Sequence, residues 1–447
     1  MLTKLSHTPI DRVSMPSVRL ADAHWPAPFK PGLEYSPPAR GPWTIVHVGM
    51  LVPECHEIFV CAQGCLRGVV LSAAEMGLQH RFSTITVSEK HLRDGELEST
   101  IIEGTAHILR QLPKLPPAVL IYSSCLHHFS GADLSWCFNR LTEMFPDVVF
   151  TDAYMTPTLR KSEMPPDNKM RRQLYHGLKP VDPARKRDGL LLAATLEVFG
   201  PESEFARAAK LAGVPFYEIA SLTKYADYPA MAHAKQVVTI NPAGKQAGEM
   251  LSVHHQMTWK TLLLDYDEDR IDASIQDLCD LMGIPVWDTK PDKFAAREAL
   301  ARAKTALGDT LVAICQTATT RPIALALRLL RAGIRVSDLF CDGFMPYEKE
   351  DFAILQKLAP EIAVHPTITP VMRFAGPAKK RDDIVAIGQK AAWFTGATRM
   401  VNIIEGGPWW GHVGMRQMAE ALEEAAKNPV DVDRIISVKG YGCNGCC

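Results

Sequence analysis

Apolar runs rich in β-branched residues alternate with amphipathic runs along most of this chain, and that alternation limits its fold more than any other feature. From residue 43, "WTIVHVGM" reads as a short buried strand, "GVVLSAAEMG" opens a helix, and "RFSTITVS" is a strand again. "ELESTIIEGTAHILRQL" has helical spacing, "PAVLIYSSC" is an apolar β-rich run, "LSWCFNRLTEMF" is a helix and "DVVFTDAYM" a strand. The order restarts with "DGLLLAATLEVFGPESEFARAAKLAGVPFYEIASL" and repeats in "AKQVVTINPAGKQAGEMLSVHHQM". After "IPVWDTKPDKFAAREALARAKTALG" it restarts once more with "TLVAICQTATTRPIALALRLLRAGIRVSDLFCDG". "EIAVHPTI" and "ATRMVNIIEGG" then add strands, and "MRQMAEALEEAAKN" a last helix. Buried strands interleaved with helices demand parallel sheets covered on both faces.

The predicted fold is therefore α/β: three Rossmann-like, doubly wound parallel-sheet blocks around a shared cavity. Ahead of them, "PSVRLADAHWPAPFKPGLEYSPPARGP" is proline-rich and aperiodic, an extended N-terminal arm expected to wrap another surface rather than enter a core. The expected organisation is an arm over 1–42, then blocks over 43–185, 186–304 and 305–447. The first block carries the cysteines of interest and the last a Cys-rich tail. A chain of 447 residues is too long for one core, which agrees with several blocks.

Formal net charge is −1 and no Lys/Arg-rich run occurs, so no nucleic-acid partner and no anionic membrane surface is expected. There is no apolar leader, no run long enough to span a bilayer, and no phosphate-binding G-x-x-x-x-G-K-[ST]. A cytoplasmic chain is the expectation. Its eleven cysteines should then be mostly reduced, favouring metal or redox roles over a disulfide framework. Cys137, Cys279, Cys315 and Cys341 stand alone in apolar settings and read as inert buried thiols.

The stretch "PECHEIFVCAQGCLRG" is different, because it holds Cys55, Cys61 and Cys65 within eleven positions. A structural zinc site would want two close pairs, and a thioredoxin-type pair would be C-x-x-C rather than C-x3-C. A set of thiols that merely lines a core is the plain alternative. The favoured reading joins Cys61 and Cys65 to Cys125, which ends the strand "AVLIYSSC", since ligands in open parallel sheets sit beyond the strands' carboxyl ends. Thiolates are the soft, donating ligands that iron–sulfur clusters select. Three are too few for a four-iron cluster held by one chain, but they suffice where a partner supplies the remainder. Cys55 is a further candidate ligand, as is Cys443 in the tail "GYGCNGCC".

"CAQGC", "SSCLHHFSGADL" sixty residues later, the three-block length and the late "NIIEGGPWWGHVGM" together resemble the nitrogenase component 1 superfamily. The resemblance implies subunits paired as α2β2 heterotetramers. An eight-iron P-cluster would sit at each α/β interface, and an ATP-dependent iron protein would deliver electrons. Cys61, Cys65 and Cys125 would be this chain's P-cluster ligands. Where the cofactor-bearing subunit has a middle-block cysteine and a last-block histidine, this chain has Asn241 and Trp410, so the second, cofactor-like cluster is expected on the homologous α-type partner. His412 reads as solvent-facing or as a support to a ligand. Within the superfamily the motifs are most similar to nitrogenase-like reductases of the methylthio-alkane reductase type. Those cleave C–S bonds of small organosulfur substrates and release methanethiol for sulfur salvage. A scaffold for iron–sulfur cofactor assembly and a tetrapyrrole-reducing relative are the alternatives.

Around the motifs, His127 and His128 are candidate hydrogen-bond donors or proton relays. His254 and His255 are helix neighbours that do not share a face. Glu54, His56 and Glu57 read as a polar rim to the first motif.

Overall fold

The structure is a computed structural model. It describes residues 15–156, 165–182, 188–376 and 378–439. The chain divides into two compact units, one of residues 43–264 with 272–287, the other of residues 1–42, 265–271 and 288–447. No helix among the described residues is long and apolar enough to cross a membrane.

Strand β1 (Val18–Arg19) belongs to the arm. The first parallel sheet contains β2 (His56–Cys61), β3 (Phe82–Thr86), β4 (Ala118–Ser124) and β5 (Val149–Met155), in the order β3-β2-β4-β5. The second, also parallel, contains β6 (Leu190–Leu192), β7 (Phe216–Glu218), β8 (Gln236–Thr239) and β9 (Thr258–Thr261), in the order β7-β6-β8-β9. The third has β10 (Leu311–Cys315), β11 (Val336–Phe340), β12 (Ala363–His365), β13 (Arg381–Ile387) and β14 (Ala397–Val401) in the order β12-β11-β10-β13-β14. Its five strands are parallel, and β1 is added antiparallel to β12. The α/β class and its parallel sheets are thus as the sequence pattern predicts.

Each sheet reverses its winding beside its first strand. In the first sheet the chain steps from β2 to β3 on one side, then crosses over to β4 on the other. The crevice between β2 and β4 is therefore a switch point, the place where such sheets bind ligands. β6/β8 and β10/β13 are the corresponding pairs in the other two.

Every residue of β2 and β4 is buried. Ile58 and Val60 face the helices Leu97–Gln111 and Leu134–Met144, while Phe59 stacks on Tyr122 at 3.9 Å on the opposite face. Burying each such side chain contributes about 1.5–3 kcal/mol, which makes this strand pair a firm base for what it carries.

Several elements differ from the pattern. "WTIVHVGM" is not a strand: Ile45–Gly49 forms one helical turn. The His47 ring accepts the Thr44 amide at 3.3 Å, and Gly49 packs where any Cβ would collide with Tyr122 and Glu57. A capped turn with a close-packed glycine overrides β propensity in so short a run. The arm is extended, yet it is also part of a core. Leu20 is fully buried, and Trp25 stacks on Phe344 at 5.8 Å. His56 and Glu57 are buried within β2 rather than forming a rim; only Glu54 of that trio is exposed.

Gly388, at the end of β13, shows how tightly the third switch point is built. Its φ is +96°, and a Cβ there would come 2.8 Å from Ala318 Cβ and 3.2 Å from Cys315 Cβ. Gly388→Ala is expected to lower the stability of the unit by about 3 kcal/mol, from backbone strain and overpacking together. Urea unfolding monitored by circular dichroism measures it; an unchanged midpoint would contradict the packing described.

Candidate metal centre

Cys61 is the last residue of β2, and Cys125 follows directly on β4. Val60 pairs with Ser123 in the register of the two strands, so both cysteines leave the sheet at the same end of adjacent strands. Cys65 lies in the first turn of the helix Gln63–Glu75, which begins two residues after β2, and its amide donates to Ala62 O at 2.9 Å. The crossover at the switch point thus brings together residues sixty positions apart. Cys61 is buried, Cys125 half-buried and Cys65 exposed. Burial, with the neighbouring thiols of Cys65 and Cys125 acting the same way, pushes the Cys61 thiol up to about 12. Cys61 therefore lies within electrostatic reach of both other thiols.

They do not converge on a single ion: among the described residues no group of three or more His, Cys, Asp or Glu side chains is arranged to hold one. That donor set fits a multi-iron cluster better, because each thiolate there binds its own iron. The cluster's positive iron is also what would draw the proton from a thiol as reluctant as Cys61.

The other sequence candidates fall outside this group. Cys55 stands six residues before Cys61, at the opposite end of β2, roughly 20 Å away along a strand rising about 3.3 Å per residue. Its thiol is buried, lies 3.5 Å from Gly49 O, receives the Arg81 guanidinium at 3.1 Å and is pushed up to about 12 by burial. It belongs to the core. Cys443 lies outside the described residues. Cys137, Cys279, Cys315 and Cys341 are buried, as their settings suggest.

His127 is buried, and its Nδ1 accepts the Ser124 amide at 3.1 Å. Burial holds its pKa down, so the ring is neutral with its proton on Nε2. That Nε2–H is buried with no hydrogen-bond partner among the described residues. It is an unused donor two residues from Cys125. His128 is exposed and stacks loosely on Tyr154 at 6.5 Å.

The loops at the other switch points are structural in character. Asn241 Oδ1 accepts the Ala243 amide at 2.8 Å and so caps the turn before the helix Lys245–His255. Trp410 is buried at the N-cap of the helix Gly411–Lys427. His412 is 1 % exposed, so it does not face solvent. Lys390 was not legible in the sequence: it is buried beside the β10/β13 crevice and donates to Thr367 Oγ1 at 3.0 Å, and that hydroxyl in turn donates to Asp342. His254 is exposed and His255 buried, on different faces as their spacing requires.

Three doubly wound parallel sheets, with a thiol trio at the first switch point, define a Rossmann-type α/β protein with a candidate metal centre. Residues 42–434 match the family model described as nitrogenase component 1 type oxidoreductase, and the chain belongs to that family. Such proteins are oxidoreductases that bind iron–sulfur clusters and assemble with homologous subunits and an iron protein. Among solved structures, one described as nitrogenase Cp1 at pH 6.5 matches with TM-score 0.65 and 15% identity, over 91% of this chain and 95% of that one. That likeness speaks for the fold. No protein of curated function matches the sequence.

In the cluster-free chain at pH 8, iodoacetamide should label Cys65 quickly and Cys125 more slowly. Cys61 should stay unlabelled until the chain is denatured, since on the order of one in ten thousand of its thiols is ionised at that pH. Peptide mass spectrometry reads the order. Cys61 labelled as fast as Cys65 would contradict the burial.

Proposed function

We propose that this chain is the P-cluster-sharing, β-type subunit of a nitrogenase-like reductase that cleaves C–S bonds of small methylthio-alkanes. The observation that carries the reading is the grouping of Cys61, Cys65 and Cys125 at one switch point, on a face the chain leaves open. In the helix Gln63–Glu75 only Val69, Ser72 and Ala73 are buried. Gly64 and Gly68 share a face, and a Cβ on either would meet nothing within 4 Å. A glycine inside a helix costs about 0.5–1 kcal/mol relative to alanine, and among the described residues nothing packs against these two to justify it. Close approach by a second subunit, bringing its own thiolates to the cluster, supplies the reason.

Cys61, Cys65 and Cys125 would hold this chain's side of an eight-iron cluster, and the His127 Nε2–H would be available to a cluster sulfur. When bound, the cluster supplies one-electron transfer at low potential. The electrons would come from an ATP-dependent iron protein. Asn241 acts as a cap, and Trp410 stands where a histidine ligand would be sought, which supports the reading that a second, cofactor-like cluster would belong to the α-type partner of an α2β2 assembly.

The anaerobically purified complex, given its iron protein and ATP, is expected to release methanethiol from 2-(methylthio)ethanol. Cys125→Ala should remove most of that activity together with interface-cluster iron. Cluster transfer to an acceptor protein without turnover would favour the assembly scaffold. Tetrapyrrole binding without turnover would favour that relative instead.

A further inference from the structure

His365 ends β12, the strand against which the arm lays β1, and its ring bridges the arm to the sheet. Nδ1 lies 3.0 Å from Pro16 O, just ahead of β1, and Nε2 lies 2.8 Å from Asp338 Oδ1 on β11. His365 is 5 % exposed and its ring stacks on Phe340 at 4.9 Å, which holds the two nitrogens to these partners.

The partners dictate the protons. A carbonyl oxygen only accepts, so Nδ1 must carry a proton to bond Pro16. Asp338 likewise only accepts when ionised. Burial would raise its pKa, yet hydrogen bonds from His365 and Ser337, with the charges of His365 and Arg381, outweigh burial and hold the carboxyl below its usual range. Nε2 must therefore carry a proton too. A neutral imidazole has one N–H, so only the imidazolium makes both bonds. The surrounding charges are engaged elsewhere. Arg381 bonds Asp383 at 2.7 Å, and Arg19, on the arm, is exposed and bonded to Asp22 at 2.9 Å and Glu361 at 3.1 Å.

From Leu20 onward the arm is fastened by contacts that do not titrate. Leu20 is fully buried, its amide donates to Ile362 O at 2.8 Å, and Gln356 Nε2 donates to the Leu20 and Ala21 carbonyls at 3.0 and 3.1 Å. Ahead of Leu20 there is only β1, two residues long, and the His365 bridge.

We propose that His365 is a proton-operated latch on the leading end of the arm. With both ring nitrogens protonated, Pro16 is bonded and β1 covers the outer edge of β12. Loss of the Nδ1 proton to solvent turns a lone pair toward the Pro16 carbonyl oxygen, while Nε2–H keeps its charge-assisted bond to Asp338. β1 then lifts and bares the edge of β12, a template for another strand. Docking takes up a proton, so it is favoured at low pH and weakens as pH rises.

Amide hydrogen exchange of the full-length chain, read by mass spectrometry at pH 5.5 and 8.5 and corrected for intrinsic exchange rates, tests this. These values lie on either side of the range in which histidine side chains change charge. Protection over residues 17–21 is expected to fall at least fivefold at the higher pH relative to the amides of β10, which report opening of the whole unit. His365→Gln, which does not titrate, should show no such fall. Asp338→Asn should keep the arm protected at both pH values, because an asparagine N–H can donate to Nε2 and leave Nδ1–H for Pro16 on a neutral ring. Wild-type protection that does not change relative to β10 would overturn the proposal whether or not the variants fold, and so would an equal fall in Asp338→Asn.

Discussion

A parallel sheet cannot place its first strand's two neighbours by winding in one direction only, and the reversal that results is the constraint on which this structure turns. Beside the first strand of each sheet, two crossovers depart in opposite directions and leave the strand ends uncovered. In the first sheet those ends are Cys61 and Ser124, with Cys125 next. In the third they are Cys315 and Ile387, with Gly388 pressed on Ala318 so that the turn can close. Chemistry is thus fixed by topology before any side chain is chosen, and the side chains then decide which crevice holds what.

In the first crevice the choice is three thiols of unequal accessibility. Cys61 is buried and disinclined to ionise, and Cys65 is open to whatever approaches the helix it begins. Held by hydrogen bonding alone, such a trio would gain little. If iron were bound there, its charge would stabilise a deprotonated Cys61, and metal binding would become part of the stability of the β2–β4 end. The exposed glycines in the first turns of the Gln63–Glu75 helix extend the same logic, since a Cβ on Gly64 or Gly68 would meet nothing within 4 Å among the described residues.

Much of this was legible in the sequence, for physical reasons that differ by element. β2 and β4 are continuous apolar runs because they are buried on both faces, so they stand out at once. Cys125 could be joined to Cys61 and Cys65 because a cysteine at the end of a central strand points to a strand-end site. What escaped was decided by tertiary packing. The Ile45–Gly49 turn depends on a Thr44–His47 cap and on Gly49 meeting Tyr122. β13 begins with Arg381, Asp382 and Asp383, whose charges mask its apolar half. Cys55 sits in the same motif as the other two, and only the length of β2 separates it from them.

The central claim is that this chain carries half of a cluster site. The most direct measurement is iron content after anaerobic purification, taken on the chain alone and on the complex formed with its homologous partner. The account predicts iron at near-background level on the isolated chain, and a full interface cluster in the complex that depends on Cys61, Cys65 and Cys125. A stoichiometric cluster on the isolated chain, or an interface cluster unaffected by loss of all three cysteines, would contradict it.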